Sequence, residues 1–259
     1  YYGIEEEDDE LEIDFDLSTE IGRIHHNSGW MARLWGSLAF GDVHSICYSI
    51  NVISNRFAGD GYYANVHTHD DINWGFGFDV ENNSLIGNRK GTSDGFQGGI
   101  ISVYRYLNDY YSGSIPGSNS RGITFAEDLV TGKARICGTT ASLLGLEAAV
   151  KTRDKIQSKI SKKKLKKKPI KSSLIQKFNN ANNDVDLSIG RILLLHAVTG
   201  ALPSMFIIYY GDEIGKMNDY SYKQDPSICR DTRYLQRGAF NWESIKLIDN
   251  DENAYQSRI

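Results

Sequence analysis

Cysteine is scarce in this chain, and its distribution argues against a disulfide framework. Only Cys47, Cys137 and Cys229 occur among 259 residues. The number is odd, and no two cysteines have the spacing of zinc ligands. We therefore expect no metal site and no cofactor. A reducing compartment such as the cytoplasm is the default expectation, although the sequence assigns no location.

The chain also lacks a long hydrophobic run. No stretch of about 18 apolar residues occurs, so we predict no membrane span and no membrane partner. The first residue is Tyr1 and no leader-like segment follows, which leads us to expect a part of a longer protein. Hydrophobic residues make up 40% and charged residues 24%, a composition typical of one large or two small globular domains.

Two blocks of opposite charge stand out against a net charge of only −4. Residues 5–16 are mostly acidic, and residues 151–177 are rich in lysine. Like charges at this density repel each other, so we predict a solvated loop for each block. The basic block could bind phosphate backbones or an acidic partner, but no aromatic residues are interleaved for base stacking. We therefore rank the solvated loop first and expect no nucleic-acid partner.

Hydrophobic periodicity predicts three strands separated by helices. The strands are predicted at 19–26, 62–67 and 205–210, and the helices at 30–53, 100–111, 139–150 and 187–200. Strands that alternate with helices indicate parallel pairing with right-handed crossovers. The run at 205–210 is continuously apolar, which is typical of a parallel strand buried on both faces. Polar residues follow the last two strands, where a (β/α) barrel carries its catalytic groups.

A recognisable signature begins after the second predicted strand. Residues 65–75 read Asn-Val-His-Thr-His-Asp-Asp-Ile-Asn-Trp-Gly. This segment resembles the amylosucrase form of the fourth conserved region of the α-amylase superfamily, glycoside hydrolase family thirteen. Further blocks at 24–35, 125–146, 202–220 and 231–242 resemble the same family in the same order. The chain thus resembles the C-terminal part of an amylosucrase-like catalytic barrel.

The resemblance implies an α/β fold. It would be a partial (β/α)8 TIM barrel, comprising about strands six to eight with an insertion after strand seven. Residues 1–18 would form an acidic loop, 19–70 strands six and seven with the intervening helix, and 71–137 an insertion subdomain. Residues 138–259 would form helix seven with a lysine-rich insert at 151–185, then strand eight and the following loop.

The resemblance also implies retaining α-glucosyl transfer or hydrolysis on sucrose or a related α-glucoside, with an α-glucan acceptor. In this family a third carboxylate, matched here by Asp70, stabilises positive charge at the transition state. His69 would hydrogen-bond the same glucosyl ring. Asp71 and Arg135 match the acceptor subsite, and Arg233 matches an arginine on the pocket floor that pairs with an upstream aspartate. A floor closed by such a pair favours sucrose, whose glucosyl unit is terminal.

Two departures from the family pattern limit this expectation. Retaining enzymes use a nucleophile and an acid/base about 5 Å apart, and neither motif is present. The carboxylates of 5–16 cannot replace them, because a solvated string does not desolvate a carboxylate enough to raise its pKa. The chain as given is therefore predicted to be inactive. Ala126 stands where the family often has glutamine, so hydrolysis versus polymer synthesis stays open.

Other interpretations remain. The whole chain could be a catalytically silent carbohydrate-binding or structural barrel protein, or an enzyme with another α-glucosidase or α-amylase specificity. His69 could be a core histidine, Asp71 a turn cap and Arg135 a surface arginine. We expect a structural role for His25, His26, Asp212 and Glu213.

Overall fold

The computed structural model describes residues 24–56, 61–74, 100–128, 134–243, 245–246 and 254–259. The predicted acidic loop at 1–18 and much of the predicted insertion lie outside these residues. The described helices and strands are, in chain order, β1 (Ile24–His26), α1 (Ser28–Phe40), α2 (His44–Arg56), β2 (Gly61–Ala64), α3 (Ile100–Ser112), β3 (Ile123–Phe125), β4 (Arg135–Cys137), α4 (Thr140–Leu143), α5 (Leu146–Leu165), α6 (Ser172–Gly200) and β5 (Met205–Phe206). Short 3-10 helices follow at Asp212–Ile214, Ser221–Gln224, Thr232–Leu235 and Tyr255–Arg258.

The three strands predicted from the apolar pattern form one parallel sheet. Their order is β1–β2–β5, with Ile24 opposite Gly61 and Tyr63 opposite Met205. Helices α1 and α2 connect the first pair, and α3 to α6 lie between the second pair. The predicted parallel pairing is confirmed. That these strands belong to an eight-stranded barrel stays a prediction.

The single helix predicted at 30–53 is wrong, because a glycine divides it. Asn27 caps α1 by accepting a hydrogen bond from the backbone N–H of Trp30 at 2.9 Å. Gly41 ends the helix in the left-handed conformation, with a φ of 65°, a position that favours glycine. Helix α2 then starts afresh at His44. The apolar spacing in the sequence continues across Gly41, so the pattern did not indicate that the helix ends there.

The lysine-rich block also differs from the prediction, because it is helical and not a loop. Helix α5 continues through residues 151–165, and α6 resumes at Ser172 after a six-residue connection at 166–171. The two helices pack against each other, and Ile160 on α5 and Ala181 and Val185 on α6 are buried. Lysine is a good helix former, and these apolar positions supply a packing face, while the charged side chains remain in water.

The apolar run after α6 is exposed where burial on both faces was predicted. Only Met205 and Phe206 form a paired strand, which Ile207 extends by donating its N–H to the Ala64 carbonyl at 3.0 Å. Met205 is 53% exposed and Ile208 49% exposed. The run is apolar enough for a buried strand, but no other described element covers this face.

A single apolar core packs the helices against the sheet. Its largest members are fully buried aromatic residues, namely Trp30, Trp35, Trp74 and Tyr111. Strands β3 and β4 form a separate antiparallel pair, and a bridge between Ile72 and Ile136 joins that pair to the segment after β2. Within the described part of the chain, no helix has the length and apolar character needed to cross a bilayer.

Candidate functional site

A cleft of about 560 Å³ opens at the carboxyl ends of the parallel strands. Residues that follow β1, β2 and β5 line it, together with residues of β4 and the Thr232–Leu235 turn. All five residues proposed from the sequence are among the lining side chains: His69, Asp70, Asp71, Arg135 and Arg233. Ligands of parallel α/β sheets bind at this end of the strands.

The segment after β2 is fixed to the core before it reaches the cleft. The indole Nε1 of Trp35 donates a hydrogen bond to the Val66 carbonyl at 2.7 Å. The side chain of Asn65 contacts His26 Nε2 at 3.0 Å, which ties the ends of β1 and β2 together. Thr68 Oγ1 then accepts from the backbone N–H of Asp70 at 3.1 Å. These bonds hold Asp70 at the rim.

The carboxylate of Asp70 is surrounded by cationic and hydrogen-bonding groups. Its Oδ1 accepts from Arg237 Nη2 at 2.7 Å and lies 3.4 Å from Arg233 Nη1. Its Oδ2 lies 3.2 Å from His69 Nε2. The side chain is nevertheless 49% exposed, so part of the carboxylate remains accessible from the cleft. Its orientation is therefore fixed before any ligand arrives.

Two residues that the sequence did not single out as functional hold the same loop by its backbone. Gln236 is fully buried; its Nε2 donates to the Asp70 carbonyl at 2.9 Å, and its Oε1 accepts from the Gly138 N–H at 2.8 Å. Arg237 Nε donates to the His69 carbonyl at 2.8 Å. Arg237 lies in a block that carried the family resemblance, which was a usable signal. No pattern in the sequence marked Gln236.

Arg233 forms a two-point ion pair, but its partner is close in sequence. Its Nε and Nη2 donate to the two carboxylate oxygens of Asp231, each at 2.9 Å. This pair lowers the pKa of Asp231 and raises the pKa of Arg233. The guanidinium also lies 4.9 Å from the centre of the Phe125 ring. The resemblance implied an upstream aspartate as the partner of Arg233. Among the described residues Asp231 is the two-point partner, and the upstream Asp70 lies 3.4 Å from Arg233 Nη1.

Asp71 and Arg135 meet because two separate segments pair. The backbone groups of Ile72 and Ile136 exchange hydrogen bonds of 2.9 and 3.0 Å, which brings the preceding residues side by side. Arg135 Nη1 lies 3.4 Å from Asp71 Oδ2. Burial raises the pKa of Asp71, and the positive charge of Arg135 opposes that effect only in part. Asp71 is therefore a buried acid at the base of the cleft.

Aromatic rings add flat apolar surface to the cleft. The ring of His26 stacks on Tyr63 with centroids 4.8 Å apart, and Tyr209 lies 4.6 Å from Tyr210. His26 was expected to be structural, yet it lines the cleft. His67 packs edge-on against Tyr209, and burial lowers the pKa of this histidine. The cleft thus combines ionised groups with ring faces.

The two acids after β5 support the loop rather than the cleft. Asp212 Oδ2 accepts from Thr140 Oγ1 at 2.9 Å and lies 3.4 Å from His196 Nε2. Glu213 Oε2 accepts from the Gly211 N–H at 2.7 Å. Neither acid lines the cleft, in agreement with the structural role expected from the sequence.

The arrangement suits a neutral ligand with many hydroxyl groups. Asp70, Asp71 and Asp231 are balanced by three arginines in ion-pair contact with them, so the cluster carries almost no net charge. Carboxylates accept hydrogen bonds and guanidiniums donate them, and a hydroxyl group can do both. Asp70 and Asp71 are the two carboxylates that line the described cleft, and the described residues contain no cluster able to hold a metal ion.

No protein-family model matches this chain. The family resemblance therefore remains a prediction that depends on the quoted motifs.

Proposed function

We propose that this chain forms the sugar-holding part of an active site for retaining α-glucosyl transfer or hydrolysis. The substrate would be sucrose or a related α-glucoside, with water or an α-glucan as acceptor. The observation that carries the proposal is the Asp70 carboxylate, which Arg237 and Arg233 hold in the loop after β2 while it remains half exposed to the cleft. A carboxylate held in this way can stabilise a positively charged, oxocarbenium-like transition state without reorganising.

Each neighbouring group has a role in the proposal. His69, in contact with Asp70, would hydrogen-bond a hydroxyl of the same glucosyl ring. Arg233 would close the floor of the pocket with Asp231, because a two-point pair is rigid and leaves no room for a longer chain. Asp71 and Arg135 would contact the acceptor. Tyr63 and Tyr209 would offer ring faces to the apolar sides of the sugars.

In addition to Asp70, the reaction needs two further carboxyl groups, one as nucleophile and one as acid/base. In the family that this chain resembles, they lie on strands four and five, which the chain does not match. We propose that they come from protein outside these 259 residues. The second candidate is a catalytically silent sugar-binding protein, which is favoured by the presence of only Asp70 and Asp71 among the described lining carboxylates.

The first experiment measures sugar binding by the chain itself. Titration calorimetry with sucrose, maltose and glucose should give a dissociation constant for at least one sugar. Asp70→Asn should weaken it, whereas Asp225→Asn should not, because the carboxylate of Asp225 lies outside the cleft and accepts hydrogen bonds from the backbone N–H and the hydroxyl of Ser227. Absence of binding to all three sugars would remove the proposal and the silent-binder alternative together.

The second experiment separates the two candidates. In the protein encoded by the complete reading frame, Asp70→Asn should lower sucrose turnover by several orders of magnitude and change KM much less, because the carboxylate acts mainly at the transition state. A complete protein that binds sucrose but never releases glucose or fructose would establish the silent binder. Near-normal turnover of the variant would remove Asp70 from the mechanism.

A further inference from the structure

The far end of the α5–α6 hairpin is the most strongly charged surface in the described structure. We define the hairpin tip as residues 155–177, which contain ten lysines and no aspartate or glutamate. Most of these lysines are exposed, and none of them forms an ion pair with a described carboxylate. A surface of this composition attracts polyanions and repels a second copy of itself.

No residue of the hairpin tip lines the described cleft. Helix α5 starts directly after α4, close to the site, and its 20 residues span about 30 Å at the usual rise per residue. Helix α6 returns to the sheet and ends just before β5. A partner bound at the tip would therefore leave the cleft open.

An exposed apolar side chain lies at the apex of the hairpin tip. Leu165, the last residue of α5, is 87% exposed, and three lysines precede it and three follow it. On the opposing helix Ile175 is 48% exposed. Exposure of a leucine side chain to water is unfavourable. The side chain can instead enter an apolar layer while the lysines around it stay at a polar surface.

We propose that the hairpin tip binds the surface of an anionic lipid bilayer, with Leu165 entering the boundary between head groups and acyl chains. Clusters of lysines on a helix are attracted to anionic lipids, and inserted apolar residues add to that attraction. Such binding is peripheral and needs no spanning helix, so it is compatible with the absence of one among the described helices. It revises only the expectation that the chain has no membrane partner.

The tip fits a nucleic acid less well. Stacking on bases requires exposed aromatic or arginine side chains, and residues 155–177 contain neither. Phe178, just beyond the tip, is partly buried. Lysine carries a point charge and lacks the planar guanidinium with which arginine forms two hydrogen bonds to a base. A phosphate backbone also offers no apolar surface for the leucine at the apex.

The test uses the full chain and sedimentation with lipid vesicles. It should bind vesicles of three parts phosphatidylcholine to one part phosphatidylserine, should not bind phosphatidylcholine alone, and should be released by added salt. The triple variant Lys166→Gln, Lys167→Gln and Lys168→Gln removes charge from the connection without touching a helix interior. At about fivefold per lysine, its affinity should fall by about a hundredfold.

The matched controls separate charge from insertion. Lys223→Gln combined with Lys246→Gln removes two exposed lysines outside the tip and should leave binding unchanged. Leu165→Ser keeps every charge and should weaken binding to the phosphatidylserine vesicles several-fold, while far-ultraviolet circular dichroism verifies that the helices persist. An unchanged affinity of Leu165→Ser, equal binding to both kinds of vesicle, no vesicle binding, or tighter binding to a single-stranded RNA oligomer would each overturn the proposal. Sugar binding in the cleft is measured separately, so the two proposals fail independently.

Discussion

Substitution of Trp35 by phenylalanine should loosen the candidate site through the core. Trp35 is fully buried in α1, packs edge-on against Tyr111 at 5.3 Å, and donates its indole N–H to the Val66 carbonyl. Val66 lies between β2 and the loop that carries Asp70, and it is itself only 1% exposed. Trp35→Phe removes both the donor and part of the packing volume.

The magnitude follows from these two losses. Phenylalanine has fewer ring atoms than tryptophan, and the residual cavity costs about 1–2 kcal/mol of unfolding free energy by analogy with other core truncations. The buried Val66 carbonyl is left without its donor, which costs a further ~1–3 kcal/mol. We therefore expect the free energy of unfolding to fall by roughly 2–5 kcal/mol, together with a several-fold loss of sucrose affinity.

Trp30 provides a matched control on the same helix. It is also fully buried, but its indole N–H donates to Thr199 Oγ1 at 3.0 Å, and Thr199 does not line the cleft. Urea denaturation should show a comparable loss of stability for Trp30→Phe, whereas titration calorimetry should show unchanged sucrose affinity. The reasoning is refuted if Trp35→Phe loses less than about 0.5 kcal/mol, or if the two variants weaken sucrose binding equally.

Two further changes test the buried acids. Burial raises the folded-state pKa of Asp71 above its ordinary value of 3.8, so ionised Asp71 costs stability at neutral pH. Asp71→Asn should therefore raise the melting temperature at pH 7, and this gain should vanish as the pH falls through 3.8; a lower melting temperature at pH 7 would contradict the sign. Glu147 is 1% exposed and accepts from Ser142 Oγ at 2.7 Å and Tyr220 Oη at 3.0 Å. Glu147→Ala leaves these donors unpaired and should cost about 2–3 kcal/mol in urea denaturation, more than Glu147→Gln, which keeps one acceptor; equal losses would disprove that account.

The parallel sheet and most helices could be predicted, because local chemistry encodes them. Alternating apolar stripes and short apolar runs are properties of neighbouring residues, and they indicated three strands in the correct parallel arrangement. Helix ends were less certain. Gly41 interrupts an apolar stripe that continues beyond it, and the repulsion expected among the lysines of α5 gives way to packing against α6.

The composition of the cleft was predicted in large part, but its connections were not. Asp70, His69 and Arg233 were chosen from short motifs, and the structure brings them together. The hydrogen bond from Gln236 to the Asp70 carbonyl and the ion pair between Asp71 and Arg135 were not predicted. Each joins residues that are 64 or more positions apart in the chain. A glutamine carries no pattern of its own, so its role is set by what the fold brings within hydrogen-bond distance.

By itself the sequence determined which residue types follow each strand and which segments have an apolar face, because these are local properties of the chain. It also determined the unbalanced charge of the hairpin tip. Only the tertiary structure decided that three carboxylates, including the half-exposed Asp70, and three arginines neutralise one another. The tertiary structure also decided that Leu165 is exposed at the end of α5. Ion-pair partners and exposure depend on distances between remote segments, and those distances exist only after the chain has folded.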